Sequence, residues 1–121
     1  MSAWVWAAAA VLGGVGATGR FLLDALIAGR AGRDFPFGTL TINVSGSLLL
    51  GFLTGLAVEG DLLVLAGTAT LGSYTTFSTW MLETERLAED GEVPSAIINI
   101  VLSLALGIGA AALGRAIGMH T

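Results

Sequence analysis

Apolar residues run along this chain in four long blocks, each close to the length of a bilayer crossing. In order they cover residues 4–27, 38–58, 62–83 and 94–117. A helix needs about 20 apolar residues to cross the hydrocarbon core. The pattern predicts an all-α membrane protein with four transmembrane helices, forming a single transmembrane domain over residues 1–121. The connecting segments are short and polar. Pro36 stops one helix and prepares the next. Glu59-Gly60-Asp61 is so tight a turn that spans two and three must be antiparallel neighbours. Residues 87–92 form an acidic loop, and Pro94 opens span four at a position where its missing N–H is harmless.

Polar and small positions inside the blocks carry more information. Leu71-Gly72-Ser73-Tyr74-Thr75-Thr76-Phe77-Ser78-Thr79-Trp80 lies in the middle of the third block. A lipid-facing helix has no use for so many hydroxyls and a glycine at that depth. Irregular backbone survives in a membrane only inside protein or beside a wet cavity. One reading is a discontinuous helix with freed carbonyls and an exposed helix N-terminus. The other is a seam of small residues for helix packing. In span two, Thr39, Asn43 and Ser47 recur at i, i+4, i+8, and Gly51 and Gly55 continue the line. In span four, Asn99, Ser103 and Gly107 do the same. A buried asparagine amide carries two donors and an acceptor that all need partners. It can find them across helices or along a pathway.

Span one opens with Trp4 and Trp6, which suit an interfacial anchor. Gly13, Gly14, Gly16, Ala17 and Gly19 make one side nearly smooth. Arg20 and Asp24 stand at i, i+4, where they can pair. Alternatively Arg20 lends positive potential to an aqueous vestibule. Four helices enclose little space, so a pathway would come from oligomerisation. The small residues of spans one and two offer a contact surface for it.

Composition narrows the classes. The chain is 55% hydrophobic and 12% charged, about half the charged share of a soluble domain. There is no cysteine, so disulfides, thiolate metal sites and thiol nucleophiles are excluded. The one histidine, His120, belongs to the solvated C-terminal tail, and no nucleophile–base–orienter set exists for an enzyme. A net charge of −4 argues against nucleic acid or anionic lipid as a partner. The N-terminus has no basic segment before its apolar run, so that run is expected to be a retained span.

The order of motifs resembles one family. Gly13-Gly14-Val15-Gly16-Ala17-Thr18-Gly19-Arg20 is similar to the glycine-rich start of the Fluc (CrcB) fluoride channels. Gly38-Thr39-Leu40-Thr41-Ile42-Asn43-Val44-Ser45-Gly46 resembles their GTLxxNxxG second helix, and Gly72 through Trp80 their GxxTTFSTF signature. The resemblance implies a fluoride-selective channel of the cell's inner (plasma) membrane that lets the toxic anion leave passively. It implies two subunits inserted antiparallel in the lipid, with two pores and a structural sodium ion where the broken third helices cross. The sodium ligands would be the backbone carbonyls of Gly72 and Thr75. The pore residues would be Asn43, Phe77, Trp80, Asn99 and Ser103. Two positions depart from the family pattern. Trp80 replaces a phenylalanine and Asn99 a tyrosine, both where the anion should pass.

These residue types suit fluoride. Moving a carboxylate-sized ion into a low-dielectric interior costs roughly 20 kcal/mol in the idealised limit, and a smaller ion costs more. A narrow path must therefore supply donors. Asn43 and Asn99 offer amide N–H groups, Ser78, Thr79 and Ser103 offer hydroxyls, and Trp80 an indole N–H. Phe77 offers the positive edge of its ring. The alternative is a small multidrug-type proton-coupled exporter, which needs a membrane-embedded carboxylate. Asp24, near the end of span one, is poorly placed for that role. Arginine placement bears on partnership. Arg30, Arg33 and Arg86 fall on one membrane side and Arg115 on the other. Cytoplasmic loops collect such residues, so the bias leans toward both termini outside. A homodimer is the simpler expectation, and a heterodimer with an oppositely biased homologous subunit is the other.

Overall fold

Glycine and proline mark the ends of the helices. In the computed structural model, which describes Met1–Thr121, α1 spans Ala3–Ala31. It ends at Gly32, whose φ of 77° only glycine adopts freely and whose N–H caps the Ala28 carbonyl. Pro36 precedes α2, Phe37–Gly55. A short turn through Ala57 leads to α3, Gly60–Leu62, then a π-helix over Leu63–Leu71 and α4, Gly72–Tyr74. After three non-helical residues, α5 runs Ser78–Glu89. Pro94 sits in the first turn of α6, Val93–Met119.

Helices α1, α2 and α6 are each long and apolar enough to cross a membrane. The shortest, α2, has 19 residues, and at 1.5 Å each it is about 28 Å long. Residues 62–83 are shared among four elements, none of which reaches that length. The expected spans at residues 4–27 and 94–117 lie within α1 and α6. Span 38–58 runs past the end of α2, because residues 56–59 turn and Ala57 takes a positive φ of 58°.

Only 14 of 121 residues are buried. The buried hydrophobic residues are Val5, Ile42, Leu87 and Ala96, while large apolar side chains such as Phe21 and Ile108 stand in the open. An apolar surface of this extent needs lipid or another protein against it.

Backbone contacts hold α2 to α6. A Cβ at Gly51 would collide with the Ala111 carbonyl, and one at Gly55 with the Arg115 carbonyl. In return Gly114 lies on the Leu48 carbonyl and Gly118 on that of Phe52. Four glycines in register let two helices touch main chain to main chain, as small residues do in membranes. Gly16 of α1 makes the same kind of contact with the Thr70 carbonyl of the π-helix. Gly16, Gly51 and Gly55, three of the small residues expected to offer a subunit contact, are thus taken up by packing inside the chain. Gly14 and Gly19 have nothing within 4 Å and remain open.

The expected ion pair within α1 is also redrawn. Asp24 pairs with Arg33, Nη1 to Oδ2 at 3.5 Å, and not with Arg20. The physical cause is the loop. The chain reverses over residues 32–36 and seats Gly38 directly on Asp24, which brings Arg33 to the carboxylate.

The glycine seam makes a direct prediction. Gly114→Val should destabilise the protein by about 1–3 kcal/mol or prevent its folding, since overpacked sites carry that penalty. Gly109→Ala, at a position with open space, should not. Thermal unfolding of both variants in detergent checks this, and equal midpoints would contradict it.

Candidate functional site

The non-helical residues between α4 and α5 owe their shape to Asn43. This side chain on α2 meets both backbone groups of Thr76. Asn43 Nδ2 donates to the Thr76 carbonyl at 2.8 Å, and the Thr76 N–H donates to Asn43 Oδ1 at 2.8 Å. Thr75 is extended, with φ −81° and ψ 160°. Thr76 Oγ1 then accepts the Thr79 N–H at 3.2 Å, as a capping hydroxyl does, and donates to Thr79 Oγ1. Before the turn, the Tyr74 hydroxyl is 2.8 Å from Ser45 Oγ, and the latter donates to the Ile42 carbonyl. The Ser45 proton being committed, Tyr74 is the donor. Gly46 leaves room for the Thr75 methyl, which a Cβ there would strike.

These bonds leave two carbonyls without their helical partners. In a continuous α-helix Gly72 would accept from the N–H of Thr76, and Thr75 from that of Thr79. Both N–H groups go to side chains instead, to Asn43 and to Thr76. Gly72 itself is helical, so the carbonyl keeps its direction along the axis while losing its donor. Two carbonyl oxygens close in sequence, on residues that line an open groove, are of the type that a hard cation favours.

That groove, about 820 Å³, runs between α2, the π-helix and α6. Asn43, Gly72, Thr75, Phe77, Trp80 and Ser103 all line it, so six of the residues singled out in the sequence come together. Phe77 is 69% exposed there. Its ring meets that of Trp80 edge to face, with centroids 5.7 Å apart and planes at 84°. Ser103 Oγ is buried and has no hydrogen-bond partner.

Four residues sit elsewhere. Arg20 on α1 is outside the groove. Ser78 and Thr79 do not line it, and their hydroxyls meet that of Thr76. Asn99 is 1% exposed, between α5 and α6, where its amide donates to Thr84 Oγ1 at 2.9 Å. The Trp80 indole N–H was expected to face an anion. It donates instead to the Asn99 backbone carbonyl at 3.3 Å. An indole offers one proton only, so this bond occupies it.

Three residues were missed in the sequence, two that hold this arrangement and one beside it. Thr76 is the centre of the turn, but its role runs through its backbone, which no side-chain pattern signals. Thr84 lies one turn after Trp80 on α5, a spacing that could have marked it. Glu83 has a carboxylate oxygen that is buried without a partner. It lines a separate polar cavity of about 610 Å³ with Asp24, Arg33 and Arg86. A carboxylate at the end of an apolar block was the available signal.

Known proteins are similar to this chain over most of its length. The family described as CrcB-like protein, Camphor Resistance (CrcB), matches residues 7–115. The protein named fluoride-specific ion channel FluC 2 in Mycobacterium tuberculosis (strain ATCC 25618 / H37Rv) is 54% identical over 111 residues, covering 92% of this chain and 88% of its own. FluC 1 of Symbiobacterium thermophilum is 44% identical over 119 residues, covering 93% and 96%. FluC 1 of Leifsonia xyli subsp. xyli is 41% identical over 122 residues, covering 98% and 89%.

The clamp on Thr76 is open to test. Asn43→Leu removes the partners of a half-buried N–H and a half-buried carbonyl, each worth up to about 1–3 kcal/mol when left unpaired. The thermal midpoint in detergent should fall by several degrees, and the Thr76 amide should exchange faster with deuterium. An unchanged midpoint and unchanged exchange would show that the turn holds without Asn43.

Proposed function

We infer the function from one premise: this chain belongs to the CrcB family. It is a fluoride-specific ion channel, a multi-pass membrane protein whose transported substrate is fluoride, and not an enzyme. The observation that carries this is the extent of the match. Residues 7–115 contain every residue that lines the groove, from Asn43 to Ala111. The channel is passive and lets fluoride leave the cell across the inner (plasma) membrane.

The path runs along the groove. Asn43, Phe77 and Ser103 offer an amide, a ring edge and an unengaged hydroxyl to a passing anion. Several weak sites in series allow entry and release, which conduction requires. Trp80 and Asn99 act through one another, as wall and support.

The third crossing is a discontinuous helix. On this reading α3, the π-helix and α4 enter from one side, α5 leaves toward the other, and Thr75–Phe77 lie between them. Two copies associate antiparallel, each covering the other's groove. Support comes from the apolar lining of the groove, with Leu50, Leu71, Leu104 and Ile108 open to a partner. The homodimer is the simpler assembly, and the arginine bias leaves a paired homologous subunit as the other. The carbonyls of Gly72 and Thr75 from both subunits would hold a structural sodium ion, which supplies fixed positive charge beside the anion path. Both carbonyls have lost their helical N–H donors, and hard cations favour such oxygens.

Vesicles loaded with fluoride test the function. Efflux should follow an applied potential and need no proton gradient, whereas proton-linked exchange would mark the exporter alternative. Sodium has its own test. Replacing it with a bulky organic cation at matched ionic strength should abolish efflux, and Thr75→Ser should retain it because the ligand is a carbonyl. Full flux without sodium would sink the sodium assignment. Phe77→Ile keeps the apolar bulk and removes the ring edge. Its efflux should fall about tenfold with the fold intact, which corresponds to about 1.4 kcal/mol on the barrier. Unchanged flux would count against the ring-edge role.

A further inference from the structure

Three hydrogen bonds form a closed circuit between α5 and α6. The Thr84 hydroxyl donates to the Trp80 carbonyl at 2.8 Å. It accepts from Asn99 Nδ2 at 2.9 Å. The Asn99 backbone carbonyl in turn accepts the Trp80 indole N–H at 3.3 Å. A threonine hydroxyl has one proton to give and lone pairs to receive, and here both capacities are used. Its outgoing bond, back to the carbonyl four residues earlier, is common in helices. The incoming bond is not part of that habit. It comes from another helix and from a side chain only 1% exposed, where losing a partner leaves a buried donor unpaired.

The circuit ends on the groove. The N–H bond to Asn99 restrains rotation of the indole, whose plane is the one against which Phe77 stands at 84°. Phe77 has no polar atom of its own and is 69% exposed, and Trp80 is the aromatic ring it meets. The two positions that depart from the family signature, Trp80 and Asn99, are thus bonded to each other directly and again through Thr84.

We propose that Thr84 is a positioning residue of the ion pathway: it locks Asn99 and Trp80 into one unit that sets the presentation of Phe77 to the anion. This rests on the channel reading above. The hydroxyl is the determinant, so Thr84→Ser keeps the unit and Thr84→Val breaks it at constant volume.

The test uses the full chain with Trp4→Phe and Trp6→Phe, which leaves Trp80 as the sole tryptophan. Thr84→Val should shift Trp80 emission, raise its rotational freedom, and lower fluoride efflux about fivefold or more, within the range of coupled neighbours. Thr84→Ser should restore all three. In a Trp80→Phe background, Thr84→Val should lower efflux by less than about twofold, because coupled sites are not additive. A purely structural threonine would give equal effects in both backgrounds and overturn the proposal. So would unchanged Trp80 emission and efflux in Thr84→Val. Should the valine variant not fold, Thr84→Ala removes the same hydroxyl with less demand on packing, and the same outcomes apply. A parent chain without fluoride efflux would overturn the channel reading instead, and Trp80 emission would still decide whether Thr84 holds the indole.

Discussion

Asn43 holds both backbone groups of Thr76, and the rest of the site follows from that pair of bonds. A primary amide carries a donor and an acceptor side by side, so one asparagine can satisfy a peptide N–H and a peptide carbonyl together. Once it does so, the backbone at Thr76 no longer takes part in a helix. Thr75 becomes extended, Thr76 is free to cap α5 with its hydroxyl, and the Gly72 and Thr75 carbonyls lose their donors. In hydrocarbon such an interruption would cost several kcal/mol for each unsatisfied group. Here the diverted N–H groups keep partners, and the residues that carry the two freed carbonyls line an open groove.

The glycine seam between α2 and α6 makes this clamp possible. Contact through Gly51, Gly55, Gly114 and Gly118 fixes α2 in place by main-chain proximity. Asn43 thereby stands at a defined height next to Thr76. Gly46 admits the Thr75 methyl, and Ser45 accepts the Tyr74 hydroxyl, so three positions near one another on α2 together shape the chain before α5. The same tight packing leaves the other side of α2 facing the groove with Leu50 and Ser47. That apolar, uncovered side is what a second subunit would occupy on the proposed reading.

Much of this was legible in the sequence for simple reasons. Apolar blocks, Pro36 and Pro94 locate the long helices because hydrophobic length and a missing N–H act locally. Asn43, Phe77 and Ser103 stood out because polar or aromatic groups at mid-block need an explanation. Other features were out of reach. The π-helix over Leu63–Leu71 has no signature of its own, being a matter of which carbonyl each N–H selects. Glycine spacing could not say whether the seam lies within or between chains, since both use the same residues. The Arg33 pairing of Asp24 depends on how a loop folds back, not on helical spacing. The occupied indole of Trp80 depends on the height of α6 against α5.

The central claim is that this chain by itself makes a fluoride-specific path. Liposomes holding the purified chain, loaded with potassium fluoride and diluted into fluoride-free buffer with sodium and a potassium ionophore, test it directly. A fluoride electrode should register rapid release, and liposomes loaded with potassium chloride should retain their anion. Fluoride release no faster than from protein-free liposomes, or chloride release at the same rate, would contradict the claim.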